Sequence, residues 1–223
     1  ANCKSLISIQ FSDRSFSDYQ SIELRGLPSL QSIVMGESCF SSTHILSLSG
    51  LPKLQSLHLG NMAFSECQSI ILENLNQLQS IKLGVKTLSG DFSDSQKTIQ
   101  QEPYNYNNTL IMRNLPTLTV FNGNGSNFIT IGSVVLENIP SLSSNGIRIS
   151  GTSFSYAFSL RSINAPALSS VIKETSWFLV GGSSDLISPT ATEWTVNWQY
   201  NEVNRVRLKL YGLNYLKQIH IVF

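Results

Sequence analysis

The heptapeptide Leu27-Pro28-Ser29-Leu30-Gln31-Ser32-Ile33 returns as Leu51-Pro52-Lys53-Leu54-Gln55-Ser56-Leu57 and as Leu75-Asn76-Gln77-Leu78-Gln79-Ser80-Ile81, 24 residues apart each time. A fixed period of this length means that one structural unit is stacked on copies of itself, and it overrides any local reading. Cys3-Lys4-Ser5-Leu6-Ile7-Ser8-Ile9 is a further copy one period upstream. Downstream copies begin at Leu115, Ile139, Ala165 and Leu213, the last cut short by the chain end. The period predicts a mainly β solenoid of about eight turns over residues 1–223 as a single domain.

Each copy carries two x-apolar-x-apolar pairs, the alternation of a half-buried strand. The first series is Ile9/Phe11, Ile33/Met35, Leu57/Leu59, Ile81/Leu83, Ile147/Ile149 and Ile219/Ile221. The second is Ile22/Leu24, Leu46/Leu48, Ile70/Leu72, Leu110/Met112, Val134/Leu136 and Leu208/Leu210. Between them a large residue keeps one column: Phe16, Phe40, Phe64, Leu88, Phe128, Phe154 and Phe178. One turn therefore reads as strand, corner with Phe, second strand, corner with Leu-Pro. Strands in successive turns are expected to be parallel, with the rings stacked inside the coil. No long segment of period 3.6 is visible, so helices are not expected.

The period is broken twice. Leu75 to Leu115 spans 40 residues and Ala165 to Leu213 spans 48. Aligning the flanks puts both expansions, roughly 89–107 and 179–205, in the corner after the Phe column, hence on one edge of the coil. Insertions gathered on one face of a solenoid often bind. The second contains Glu193-Trp194-Thr195-Val196-Asn197-Trp198-Gln199-Tyr200, which reads as a strand with an aromatic face of Trp194, Trp198 and Tyr200. The first adds Tyr104 and Tyr106 on the same edge. These rings serve either as a platform for sugar or protein or as a cover for the flank of the core.

The unit Leu51-Pro52-Lys53-Leu54-Gln55-Ser56-Leu57-His58-Leu59 resembles a leucine-rich repeat, L-x-x-L-x-x-L-x-L. Ala63-Phe64-Ser65-Glu66-Cys67-Gln68-Ser69-Ile70 is similar to the A-F-x-x-C-x-x-L element of the BspA-like surface-antigen type of bacteria and protists. The resemblance implies an extracellular or cell-surface location and a role in structure or adhesion. Gly36, Gly60 and Gly84 stand where classical repeats carry Asn. Hydroxyls before each strand are expected to replace that ladder: Ser8, Ser32, Ser56, Ser80 and Ser170, then Ser21, Ser69, Thr109, Ser133 and Ser159.

Little chemistry is laid out along the coil. The outward column of the first sheet, where such repeats commonly bind, reads Gln10, Val34, His58, Lys82, Asn122, Arg148, Ile172 and His220. It lacks a carboxylate, so paired acid–base catalysis has no support. His58 and His220 are turns apart, and no metal or cofactor motif is present. The reading is therefore non-catalytic, with no cofactor. A polysaccharide-active parallel β-helix is the minor alternative. His58, Lys82 and Arg148 remain the candidate binding residues of this face. On the second sheet Arg25, Ser49, Glu73, Arg113 and Glu137 form a stripe of mixed charge.

Only 13% of residues are charged, against the usual ~25%, and the net charge is +1. No field draws nucleic acid or an anionic membrane, and no apolar run approaches the ~18–20 residues of a membrane span. The 36 serines carry the polarity instead. Same-sign charges repeated in every turn would face their copies ~4.8 Å away, whereas Ser, Asn, Gln and Thr stack without repulsion. Two sequons, at Asn107 and Asn124, are expected to be exposed acceptors for glycan. Cys39 and Cys67, in neighbouring turns, either bridge or stand as buried thiols, leaving Cys3 over.

Neither end shows a polar cap. Cys3, Leu6 and Ile9 open the first turn, and Ile219 and Ile221 stand in the last strand. An uncapped solenoid is either an excerpt of a longer array or a subunit that stacks end to end. Partners are therefore expected to be further copies, another surface protein or a glycan.

Overall fold

The computed structural model describes residues 3–90, 108–176, 193–197 and 218–222. Its body is a two-sheet parallel solenoid. One sheet holds β1 (Ser8–Phe11), β3 (Ser32–Met35), β5 (Ser56–Leu59), β7 (Ser80–Leu83), β9 (Val120–Gly123) and β11 (Ile147–Arg148), in that order. The other holds β2 (Ser21–Leu24), β4 (Ile45–Ser49), β6 (Ser69–Glu73), β8 (Asn108–Arg113), β10 (Ile131–Glu137) and β12 (Ser159–Ile163). Every pairing is parallel. The register follows the repeat: Ile9 faces Ile33, Ile33 faces Leu57 and Leu57 faces Ile81. Six turns of this kind are described, rather than eight. The expansion at 89–107 leaves the ladder unbroken, because β6 pairs directly with β8 and β7 with β9.

The core fills the space between the sheets. Ile33, Leu57, Leu59, Ile70, Leu110 and Val134 are buried, each at an inward position of the alternation, and Leu30 is buried at the corner before β3. Phe40 and Phe64 stack with centroids 5.2 Å apart, and Phe128 and Phe154 at 4.8 Å, with Leu88 between the two stacks. The corner that turns these rings inward is left-handed backbone. Phe16, Phe40, Phe64, Leu88, Phe128 and Phe154 all have φ between 53° and 58°. In five of the turns the residue two before is left-handed as well: Arg14, Ser38, Met62, Lys86 and Ser126. None of these is β-branched, as the steric cost of positive φ requires.

The opposite corner contains an asparagine ladder, at a place the repeat comparison did not indicate. Asn74, Asn114, Asn138 and Asn164 have φ of 53–58°, and Gly26 and Gly50 occupy the same column in the earlier turns. Each amide donates to the one before it: Asn114 Nδ2 to Asn74 Oδ1 at 2.8 Å, Asn138 to Asn114 at 3.3 Å, Asn164 to Asn138 at 3.0 Å. Asn and Gly are the residues that tolerate this backbone most easily. The expected hydroxyl columns before the strands are corrected in part. The hydroxyl bonds between turns concentrate after the Phe column, where Ser65 donates to Ser41 O, Ser89 to Ser65 O and Thr130 to Ser89 O.

A helix is present where another strand was expected. α1 (Pro166–Thr175) begins with proline in its first turn, where the missing N–H is not needed. It buries Leu168, Ser169 and Ile172, one face at helical spacing. Ile172 is therefore core rather than outward, and Ser170 Oγ bonds Glu174 Oε1 at 3.3 Å along the helix. α1 packs on β12 and on the 3-10 turn Ser144–Gly146. Strands β13 (Glu193–Asn197) and β14 (Gln218–Val222) pair in parallel, Trp194 facing Ile219 and Val196 facing Ile221.

Candidate functional site

The outward column of the first sheet is assembled as the repeat implies. Gln10, Val34, His58, Lys82, Asn122 and Arg148 are neighbours in successive strands. His220 lies elsewhere, facing Thr195 in the two-stranded sheet. Beside the middle of the column is a depression of about 570 Å³, lined by Asp13, Glu37, His58, Asn61, Lys82, Asn122 and Asn124 among others. His58, Lys82 and Arg148 are exposed, and no ion pair involves them among the described residues.

The depression owes its shape to packing. Gly60 and Gly84 form part of its lining, and a Cβ on Gly60 would stand 2.6 Å from the carbonyl carbon of Gly36. Successive turns approach too closely there for any side chain. The adjoining column then satisfies the backbone: Asp13 Oδ1 accepts the Glu37 N–H at 2.8 Å and Asn61 Oδ1 the Val85 N–H at 2.9 Å. What remains is a polar surface with acidic groups toward the first turns and basic groups toward the fourth. It suits a hydrogen-bonding ligand of mixed charge better than an apolar one.

On the second sheet the mixed stripe is a connected ladder. Arg113 lies 3.1 Å from Glu73 and 3.0 Å from Glu137, and Arg161, absent from the column read in the sequence, lies 3.4 Å from Glu137. Arg25 pairs instead with Glu23 at 3.4 Å.

Cys39 and Cys67 are free thiols, each fully buried, so the bridge between them is not formed. Cys39 Sγ donates to Ser12 O at 2.8 Å, and Cys67 Sγ lies 3.4 Å from Ser69 O. Burial pushes the Cys67 thiol up to about 12. Cys3 is exposed. Asn124 is exposed on the rim of the depression. Asn107, Tyr104, Tyr106, Trp198, Tyr200 and Phe178 lie outside the described residues, and Trp194 is described only as part of β13.

Among the described residues no turn stacks outside the first one. Its inward residues Leu6, Ile9, Phe11, Ile22, Leu24 and Leu27 are only partly buried, whereas their counterparts Leu30, Ile33, Leu48 and Leu51 are 0% exposed. Ile7, Phe16 and Tyr19 are 57%, 43% and 56% exposed, and β1 and β2 stand at the edges of their sheets. Tyr19 packs edge-on against Phe16, which itself stacks on Phe40 at 5.3 Å.

Comparison with protein-family models, with curated proteins and with solved structures found no match.

Proposed function

We propose that this chain is a non-catalytic structural or interaction module of the leucine-rich-repeat type, working at a cell surface or in an extracellular fibre. The observation that carries the reading is the open first turn, with its exposed Phe16 and two free strand edges. Such a surface accepts another turn of the same kind: strands extend each sheet and a ring continues the Phe stack. Further repeats of a longer array supply that turn, or a second copy does so in an end-to-end contact. Because the joined surfaces differ, the contact need not close and builds a filament.

Size in solution and electron microscopy test this on the 223-residue chain. Concentration-dependent assembly is expected, and it should be lost when Ile7→Lys and Tyr19→Lys are combined, since both residues are exposed. A stable monomer at all concentrations, or assembly unaffected by the lysines, refutes end-to-end stacking.

The second reading is an adhesin or receptor module that binds glycan or protein through the insertion edge or the outward column. The mixed-charge depression around His58 and Lys82 favours it. Under this reading, removing the second insertion or replacing His58 and Lys82 by alanine abolishes partner binding with no effect on assembly. Glycan on Asn124 belongs to the same extracellular setting, and an unchanged intact mass of native material after glycosidase treatment would argue against it.

A further inference from the structure

The fifth turn departs from the repeat at two linked positions. Where other turns carry Leu59, Leu83 or Ile149 inside the first sheet, β9 has Gly123. Where they carry Cys39, Ala63 or Thr87 just before the corner ring, it has Asn127. The two changes belong together, because a Cβ on Gly123 would meet Asn127 Oδ1. The amide occupies volume from which a core side chain has been removed.

The orientation of that amide is fixed. Its Nδ2 donates to Gly84 O at 2.8 Å and to Thr87 O at 3.1 Å, so the other end is the oxygen. Asn127 is 0% exposed and its Oδ1 has no hydrogen-bond partner. In the equivalent position of the next turn Ser153, also 0% exposed, has an Oγ without a partner. The neighbouring rings of Phe128 and Phe154 stack at 4.8 Å, which sets these two positions one turn apart. Elsewhere this column donates to the preceding turn, Cys39 to Ser12 O and Thr87 to Gly60 O. Ser153 does not follow that pattern.

Two buried polar groups without partners, at equivalent positions of successive turns, are costly unless something satisfies them. We propose that the fifth and sixth turns hold one buried water bridging Asn127 Oδ1 and Ser153 Oγ. The ligand must be small, neutral and a donor: Oδ1 only accepts, and the hydroxyl takes either role. The amide itself takes the volume at Gly123, and the bridging water supplies the hydrogen bonds that the two side chains lack. This inference is independent of how the chain assembles.

Oxygen-17 relaxation dispersion counts long-lived internal waters and provides the test. The comparison is between the native chain and Phe121→Leu/Gly123→Leu/Asn127→Ala, which gives the fifth turn the residues of the third and offsets the larger leucine against Phe121. Loss of one long-lived water in the variant is expected. An equal contribution from both chains overturns the proposal. Should the triple variant fail to fold, a high-resolution crystal structure of the native chain decides. A solvent peak within hydrogen-bonding reach of both atoms supports the bridge, and a direct Ser153–Asn127 hydrogen bond refutes it.

Discussion

Phe64 and Phe16 occupy the same column, yet one is wholly buried and the other 43% exposed, so the price of truncating them differs. Phe64→Ala leaves a cavity between stacked turns and is expected to cost about 3–5 kcal/mol in urea unfolding. Phe16→Ala, with one face open, should cost well under half of that. The column was legible because a large apolar residue recurs at a fixed offset. Its left-handed backbone was not, because Phe, Leu, Met and Lys announce no positive φ. Cys67 gives a second residue-scale prediction. Burial raises its pKa from 9.0 to about 12, outweighing the opposing backbone hydrogen bonds. The folded chain therefore holds this proton more tightly than the unfolded one. The resulting stability is complete below about pH 9 and is lost as pH rises toward 12. Cys67→Ala should remove this alkaline slope, read from urea midpoints against pH. In the native chain near pH 8, alkylation should reach Cys3 and spare Cys39 and Cys67.

At the scale of elements, the asparagine ladder explains how one corner is held in register and why it begins at Asn74. Gly26 and Gly50 provide the same left-handed backbone without an amide to stack. Around Gly50 a Cβ would find open space, so only its φ of 59° limits substitution. Gly50→Asn should extend the ladder by one bond to Asn74 and stabilise by about 0.5–1.5 kcal/mol. Gly50→Ala should destabilise, since it brings the strain of positive φ without the bond. Thermal or urea unfolding of the two variants separates backbone tolerance from the amide contact, and equal effects would deny the ladder any energetic role. The strands were readable from alternation, whereas α1 was not. Ala165-Pro166-Ala167-Leu168 imitates the Leu-Pro-x-Leu start of a turn, and Leu168 and Ile172 suit either period. Proline in the first turn and a buried face at helical spacing favour the helix.

Across the whole molecule, each turn touches only its neighbours, so stability is a sum of turn and interface terms rather than the property of one centre. Among the described residues the first turn has a neighbour on one side alone, and its core residues are the least covered of the six turns. It should therefore open at the lowest free energy. In hydrogen exchange, amides of β1 and β2 should exchange first, and those of β5 to β8 last, close to the global unfolding limit. End-to-end assembly gives the open turn its missing neighbour. Protection of β1 and β2 should then rise with protein concentration, while that of β5 to β8 stays level. The lysine pair at Ile7 and Tyr19 should abolish the rise without changing the central strands. If β1 and β2 are as slow to exchange as β5 at every concentration, the open turn is not the weak end of the coil, and the structural reason for stacking disappears with it.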